Sequence, residues 1–368
     1  VEIGFVLNLD QTAITLEYEK PGNAEWDDGE DPGDPEILFY PELMVPKQLP
    51  YGLSPFVATV GHHTDIQQYQ QMEAVRRAFK EKLWPTLQRA YVHLENENLD
   101  LLKKECATLT KAGGVPDFSD REGRGAWVMG ATRHFFDFFV IDPTKSEPME
   151  KSVAFSYRHH EPELRKLAAE YVNSGRMSAV WKEIRSVRRQ FIYLYESFLP
   201  LLMVRRYWKP GFQDISGYEL SVKNFEDIKG FYIDAVETAF RLLVIGLGIE
   251  LIAKTGKPII STKTGDKNIW WFEQINNGIK DGQLRQHAIF SSITPALDLG
   301  LRNGVGHHSA HYEVTTDEIV YVKADNAGLK ESRISYTEFI DKAFKAYCAF
   351  EIAAAYFHWL FVAGGGRL

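Results

Sequence analysis

A chain of 368 residues, 45% hydrophobic and 25% charged, has an ordinary globular composition and enough length to bury a core without staples. Two cysteines far apart, Cys106 and Cys348, exclude a disulfide framework and leave no C-x-x-C pair for a zinc knuckle, so a reducing cytoplasm is expected. The net charge of −8 is unevenly placed: residues 1–50 hold twelve acidic against two basic side chains, and residues 151–210 hold twelve basic against five acidic. A globally acidic chain with one basic segment is compatible with a nucleic-acid track on one face.

No basic segment followed by an apolar core opens the sequence. The longest apolar runs, 242–252 and 353–363, are short and broken for a bilayer span. A soluble protein without membrane contact is therefore expected. Residues 1–20 alternate apolar and polar and predict one or two strands or a hairpin. The Pro-, Gly- and Asp-rich stretch after it reads as a solvated loop. Thr64 suits the cap of a helix carrying Ile66, Tyr69, Met72, Val75, Phe79 and Leu83 and ending at Pro85, and the pattern resumes to about Leu109. Residues 126–141, dense in aromatics, fit either a helix or a strand.

From Glu161 onward the pattern is helical. Segments are predicted over 163–173, 177–207, 225–254, 268–280 and 284–301, the last with a kink or restart at Pro295. A short strand over 318–323, a turn at Gly328 and a closing helix capped by Ser335 or Thr337 complete the chain. The fold class expected is mainly α: a C-terminal bundle of four to five helices, residues 156–368, behind an N-terminal α+β region, residues 1–155, with regulatory or recognition duties. Gly246 and Gly248 inside the apolar helix suit close helix–helix approach.

The chemistry concentrates between Leu301 and Glu313. Arg302 supplies a permanent cation with a planar fork, and His307 a group that exchanges protons near neutral pH. Asn303 can position a hydroxyl or a phosphate oxygen. Those are the needs of phosphodiester transesterification without a metal. The same residues also suit a plain helix end, with Arg302 facing the terminal carbonyls and Gly304 and Gly306 as cap residues. His307 and His311, four apart, offer a metal alternative, with Glu313 or the His62-His63 pair as further ligands, although the glycines argue against helix here. The basic side of the 177–207 segment (Arg185, Arg188, Arg189, Arg205 and Arg206, with Lys182) is the candidate RNA backbone track, and His308 and His311 are further candidate RNA contacts. His159-His160 reads as a helix start, and Trp270-Trp271-Phe272 as core or interface.

Arg302-Asn303-(three residues)-His307 resembles the Arg-polar-x3-His signature of HEPN domains. The setting resembles theirs as well: a helix leading in, a short strand after, and a closing amphipathic helix, together covering roughly residues 160–363. The resemblance implies an all-helical, dimeric, metal-independent endoribonuclease of the kind found in toxin–antitoxin and anti-phage systems. It implies Arg302 and His307 as catalytic residues with Asn303 in support, a homodimer forming one composite cleft, RNA as substrate, an antitoxin or activator as partner, and no cofactor. One position departs from the pattern. Toxins paired with nucleotidyltransferase antitoxins carry a Tyr two residues after the His, and Ser309 stands there, so control by adenylylation is not expected. The alternative is a catalytically inert HEPN-like module for dimerisation or nucleotide sensing.

Overall fold

The computed structural model describes residues 4–9, 14–19, 44–46, 79–109, 121–137, 147–199, 201, 218–220, 224–262, 265–307, 310–325 and 328–368. The predicted hairpin is present. β1 (Gly4–Leu9) and β2 (Ile14–Glu19) pair antiparallel with Leu9 opposite Ile14, and β3 (Met44–Pro46) pairs with a strand far along the chain. The helix expected from Thr64 lies mostly outside the described residues. Pro85 does not end a helix but opens one: a π-turn over Phe79–Leu83 runs into α1 (Trp84–Glu95), with Pro85 in its first turn. A proline has no N–H to lose there, so that position tolerates it.

Five helices follow in close succession: α2 (Leu99–Leu109), α3 (Arg121–Asp137), α4 (Glu147–His159), α5 (Glu161–Asn173) and α6 (Arg176–Tyr193). The aromatic-rich stretch from 126 to 137 is thus helical. His160 sits at the N-cap position of α5, the helix start that its sequence suggested. After β4 (Tyr218–Leu220), the partner of β3, comes the 31-residue α7 (Phe225–Thr255). The predicted 268–280 helix is interrupted. β5 (Ile259–Thr262) and β6 (Gly265–Asn268) form a hairpin, then come α8 (Ile269–Gln274) and α9 (Asn277–Leu284). Asn268 and Asn276 each restart the chain as an N-cap, accepting backbone N–H groups with their side chains. The 284–301 segment also divides, into α10 (Ala288–Ser291), a 3-10 turn around Pro295, and α11 (Leu299–His307). β7 (His311–Glu313), β8 (Glu318–Asp325) and β9 (Gly328–Ser335) make an antiparallel sheet. The closing helix, α12 (Tyr336–Ala363), starts as predicted, with the Ser335 hydroxyl accepting from Glu338 N at 3.2 Å.

The protein is mainly α, with small antiparallel sheets. α7 and α12 form its axis because both are apolar nearly all round, a pattern that only a surrounded helix can satisfy. Gly246 is the contact point between them: a Cβ there would lie 2.5 Å from the Tyr356 ring. Gly248 in turn admits Leu167 of α5. α3, α4, α5 and α6 pack around this axis, and one continuous core runs from Trp84 to Ala363. The division expected at 155/156 falls inside α4, whose Met149, Val153 and Ser156 are buried in that same core. An 18-residue window of α12 is long and apolar enough for a membrane span by composition, but 83% of it is buried inside the protein, as in a core helix.

His358 of α12 is buried at 6% exposure, and among the described residues neither ring nitrogen has a hydrogen-bond partner. Burial, reinforced by the Arg188 and Arg133 cations, holds its pKa well below the usual histidine value of 6.5. Because the unfolded chain binds this proton more readily, His358 contributes full stability above about pH 6.5. That contribution is lost as pH falls from there toward the folded value. The melting temperature should therefore drop between pH 7.5 and pH 5, and His358→Leu should drop less, as read by thermal denaturation.

Candidate functional site

Asp298 starts α11. Its Oδ1 accepts the Leu301 N–H at 3.0 Å, and its other oxygen accepts from Lys342 Nζ of α12 at 3.0 Å. Burial works against the charge on Asp298, but the Leu301 N–H and the Lys342 ammonium together hold its carboxyl below the usual range. The helix does not stop at the glycines. Gly304 and Gly306, expected as cap residues, lie within α11, which ends at His307. Packing explains the departure. A Cβ on Gly304 would lie 2.9 Å from the Val322 carbonyl and would run into the Tyr321 ring, so only glycine lets α11 lie flat on β8. Helix propensity, against glycine by about 1 kcal/mol, yields to that close approach.

Arg302 points from α11 toward α7. Its Nη2 pairs with Glu237 Oε1 at 2.7 Å and its Nη1 donates to Asn303 Oδ1 at 3.1 Å. The guanidinium side chain keeps 17% exposure, and Asn303 is exposed. Glu237 is held from behind: its Oε2 accepts from Asn277 Nδ2 at 2.9 Å, and Asn277 Oδ1 accepts from Lys280 Nζ at 3.1 Å. Lys280 is 8% exposed, and burial pulls its ammonium below the ordinary lysine pKa. Arg302, Asn303, Glu237, Asn276 and Asn277 line a cleft of about 510 Å³ whose rim continues along Leu299, Gly300 and Val322. A planar cation fixed at one side of an open polar cleft can receive a phosphate or carboxylate.

His307 ends α11, and five residues at 3.6 per turn place it about 140° around the helix from Arg302. Within one chain the two therefore occupy different faces of the helix. His308 lies outside the described residues. His311 is the exposed first residue of β7, opposite Val320, so it shares no helical face with His307, the premise from which their spacing suggested a metal pair. Glu313 accepts from the Thr315 hydroxyl at 2.9 Å, His62 and His63 lie outside the described residues, and among the described residues no three His, Cys, Asp or Glu side chains cluster as a metal site.

The expected basic track divides. Arg188 is not a surface cation: its side chain is 1% exposed and forks onto Glu351, with Nη2 to Oε2 at 2.7 Å and Nε to Oε1 at 3.0 Å. It falls in phase with Trp181, Ile184 and Phe191 on the apolar side of α6, a signal present in the sequence spacing. Arg185 is partly exposed, bonded to Glu95 at 2.5 Å and set over the Tyr91 ring. Arg189 is exposed, as is Lys182, while Arg205 and Arg206 lie outside the described residues. The depression beside Arg185 and Arg189 shares no lining residue with the Arg302 cleft. A different stripe of α6 faces α7, where Glu183 pairs with Arg241 and Gln190 donates to Asp234 at 2.8 Å.

Glu237, Asn277 and Lys280 are site residues that sequence reasoning missed. Asp234, Glu237 and Arg241, at i, i+3 and i+7, mark a polar stripe on an otherwise apolar helix, and that stripe was the available signal. Trp270 is an interface residue: it donates to Glu170 at 3.1 Å and carries the Arg176 guanidinium over its ring at 4.6 Å. No protein-family model matches the chain, and no curated protein and no solved structure matches it either.

Proposed function

We propose that the chain is a HEPN-type, metal-independent endoribonuclease whose chemistry sits on α11, at Arg302, Asn303 and His307. The observation that carries this reading is the Arg302–Asn303 pair, pinned by Glu237 at the edge of an open polar cleft. His307 acts as general base on a ribose 2′-hydroxyl or as acid on the leaving oxygen. Arg302 stabilises the charge that develops on the phosphate, and Asn303 orients the substrate. Since His307 and Arg302 occupy different faces of one helix, a homodimer completes the site, each copy offering its histidine to the other's arginine. Such an enzyme works in the cytoplasm in a toxin or anti-phage setting, under an antitoxin or activator.

The test is incubation of the purified protein with total RNA and tRNA in EDTA, wild type beside His307→Ala. Wild type is expected to yield fragments ending in 2′,3′-cyclic phosphate, and His307→Ala none. Equal cutting by both would remove His307 from the chemistry. A second reading, an inert HEPN-like dimerisation or nucleotide-sensing module, draws on one observation: Arg302 is already charge-paired with Glu237. In that case neither protein cuts RNA with or without a partner.

A further inference from the structure

The outward stripe of α6 lies apart from the Arg302 cleft and carries a different set of groups. Lys182, Ser186, Arg189 and Tyr193 recur at i, i+4, i+7 and i+11, which places all four along one face over about 16 Å. Lys182 and Arg189 are exposed, and among the described residues neither has a carboxylate partner, whereas the neighbouring Arg185 is tied to Glu95. Beside them a depression of about 140 Å³ opens between α6 and α1, lined by Gln88 and the edge of Trp84. That volume suits a phosphate and its sugar edge better than a whole nucleotide.

Tyr193 adds the second ingredient. Its side chain is 74% exposed, an unusual position for a large ring that helix packing would otherwise bury, and it stands one helical turn beyond Arg189 in the same line. Cations that follow a backbone, with an exposed aromatic in register, are the combination by which proteins hold unpaired nucleic acid without reading sequence. An acidic peptide would use the cations but has no use for the ring.

We infer that this stripe is an anchoring site for single-stranded nucleic acid, in which Lys182 and Arg189 neutralise two phosphates and Tyr193 stacks on a base. The site is independent of where, or whether, the strand is cut. The stripe and the Arg302 cleft share no residue, so anchoring and cleavage are separable by mutation.

The experiment is fluorescence anisotropy of the full chain with a labelled oligouridylate carrying 2′-O-methyl riboses, which lack the hydroxyl needed for transesterification. Binding should weaken with salt. In Lys182→Gln/Arg189→Gln the slope of log affinity against log salt should become shallower by about 1.4, the share of two single-strand phosphates. Tyr193→Ala should weaken binding by roughly fivefold to a hundredfold with the slope unchanged. Poly-glutamate should compete poorly. Absence of wild-type binding, an unchanged slope in the double variant, or displacement by poly-glutamate as readily as by unlabelled oligonucleotide would overturn the proposal. Binding of this probe by a protein that leaves total RNA and tRNA uncut in the EDTA assay would support it and count against the ribonuclease reading alone. All three substituted side chains are exposed, and circular dichroism of each variant separates lost contacts from lost fold.

Discussion

Glu351→Leu is expected to destabilise the fold by about 3–5 kcal/mol, because it leaves the Arg188 guanidinium charged in a place that water does not reach. The two side chains are 1% and 3% exposed and are joined in a forked contact, with Arg188 also set over the Phe136 ring at 4.5 Å. Among the described residues Arg188 Nη1 has no hydrogen-bond partner, so within them the pair is short of one acceptor. A buried guanidinium does not lose its proton to relieve the cost, because arginine stays protonated even where burial disfavours its charge. The loss is therefore large for Glu351→Leu and of similar size for Arg188→Met. In the double variant most of it should return, as two apolar side chains of similar volume fill the same space without desolvating a charge. Chemical denaturation of the four proteins measures this directly. Single variants within about 1 kcal/mol of wild type would mean that water reaches the pair.

Arg302→Ala is expected to lower RNA cleavage by roughly two to three orders of magnitude, the range for removing one preorganised donor to a developing oxyanion. The fold should tolerate it. The Arg302–Glu237 pair keeps 17% and 39% side-chain exposure, and a pair that meets water contributes about 0–1 kcal/mol. Arg302→Lys should rescue little. The present geometry uses two arms of the fork, one toward Glu237 and one toward Asn303, and an ammonium presents a single point charge. Glu237→Gln keeps an acceptor for the Arg302 and Asn277 hydrogen bonds but removes the charge, so the turnover number should fall while the melting temperature moves little. Single-turnover cleavage beside thermal melts separates the two effects. A collapsed melt in Arg302→Ala would instead assign Arg302 to stability.

Periodicity made much of the fold legible. The apolar runs of α7 and α12, the β1–β2 alternation and the Ser335 cap each follow from local spacing, and all stand where the sequence placed them. Gly246 was legible as a close-approach residue because nothing else recommends glycine in the middle of an apolar helix. Boundaries were less legible. The restart at Pro295 was expected, but the asparagine cap at 276 cuts the predicted 268–280 helix in two, since a cap competes with helix continuation only by about 1 kcal/mol and the tertiary neighbours decide. Gly304 was misread for the same reason: its local preference is to end a helix, and the approach of β8 outweighs that preference.

At the site, the sequence by itself determined that an arginine, an asparagine and a histidine stand within six residues, directly after an apolar segment. It also determined that a cluster of cations lies on α6. Only the tertiary structure decided which of those cations face water. Arg188 and Arg189 are neighbours with the same side chain, yet one step of about 100° around the helix puts the first against Glu351 and the second in solvent. Only the tertiary structure brought Glu237 to Arg302 and separated the α6 stripe from the cleft. The physical reason is common to all three. Helical period fixes which residues share a face, but which helix that face meets depends on how the chain packs around α7 and α12, and an ion pair forms only where two such faces come within reach.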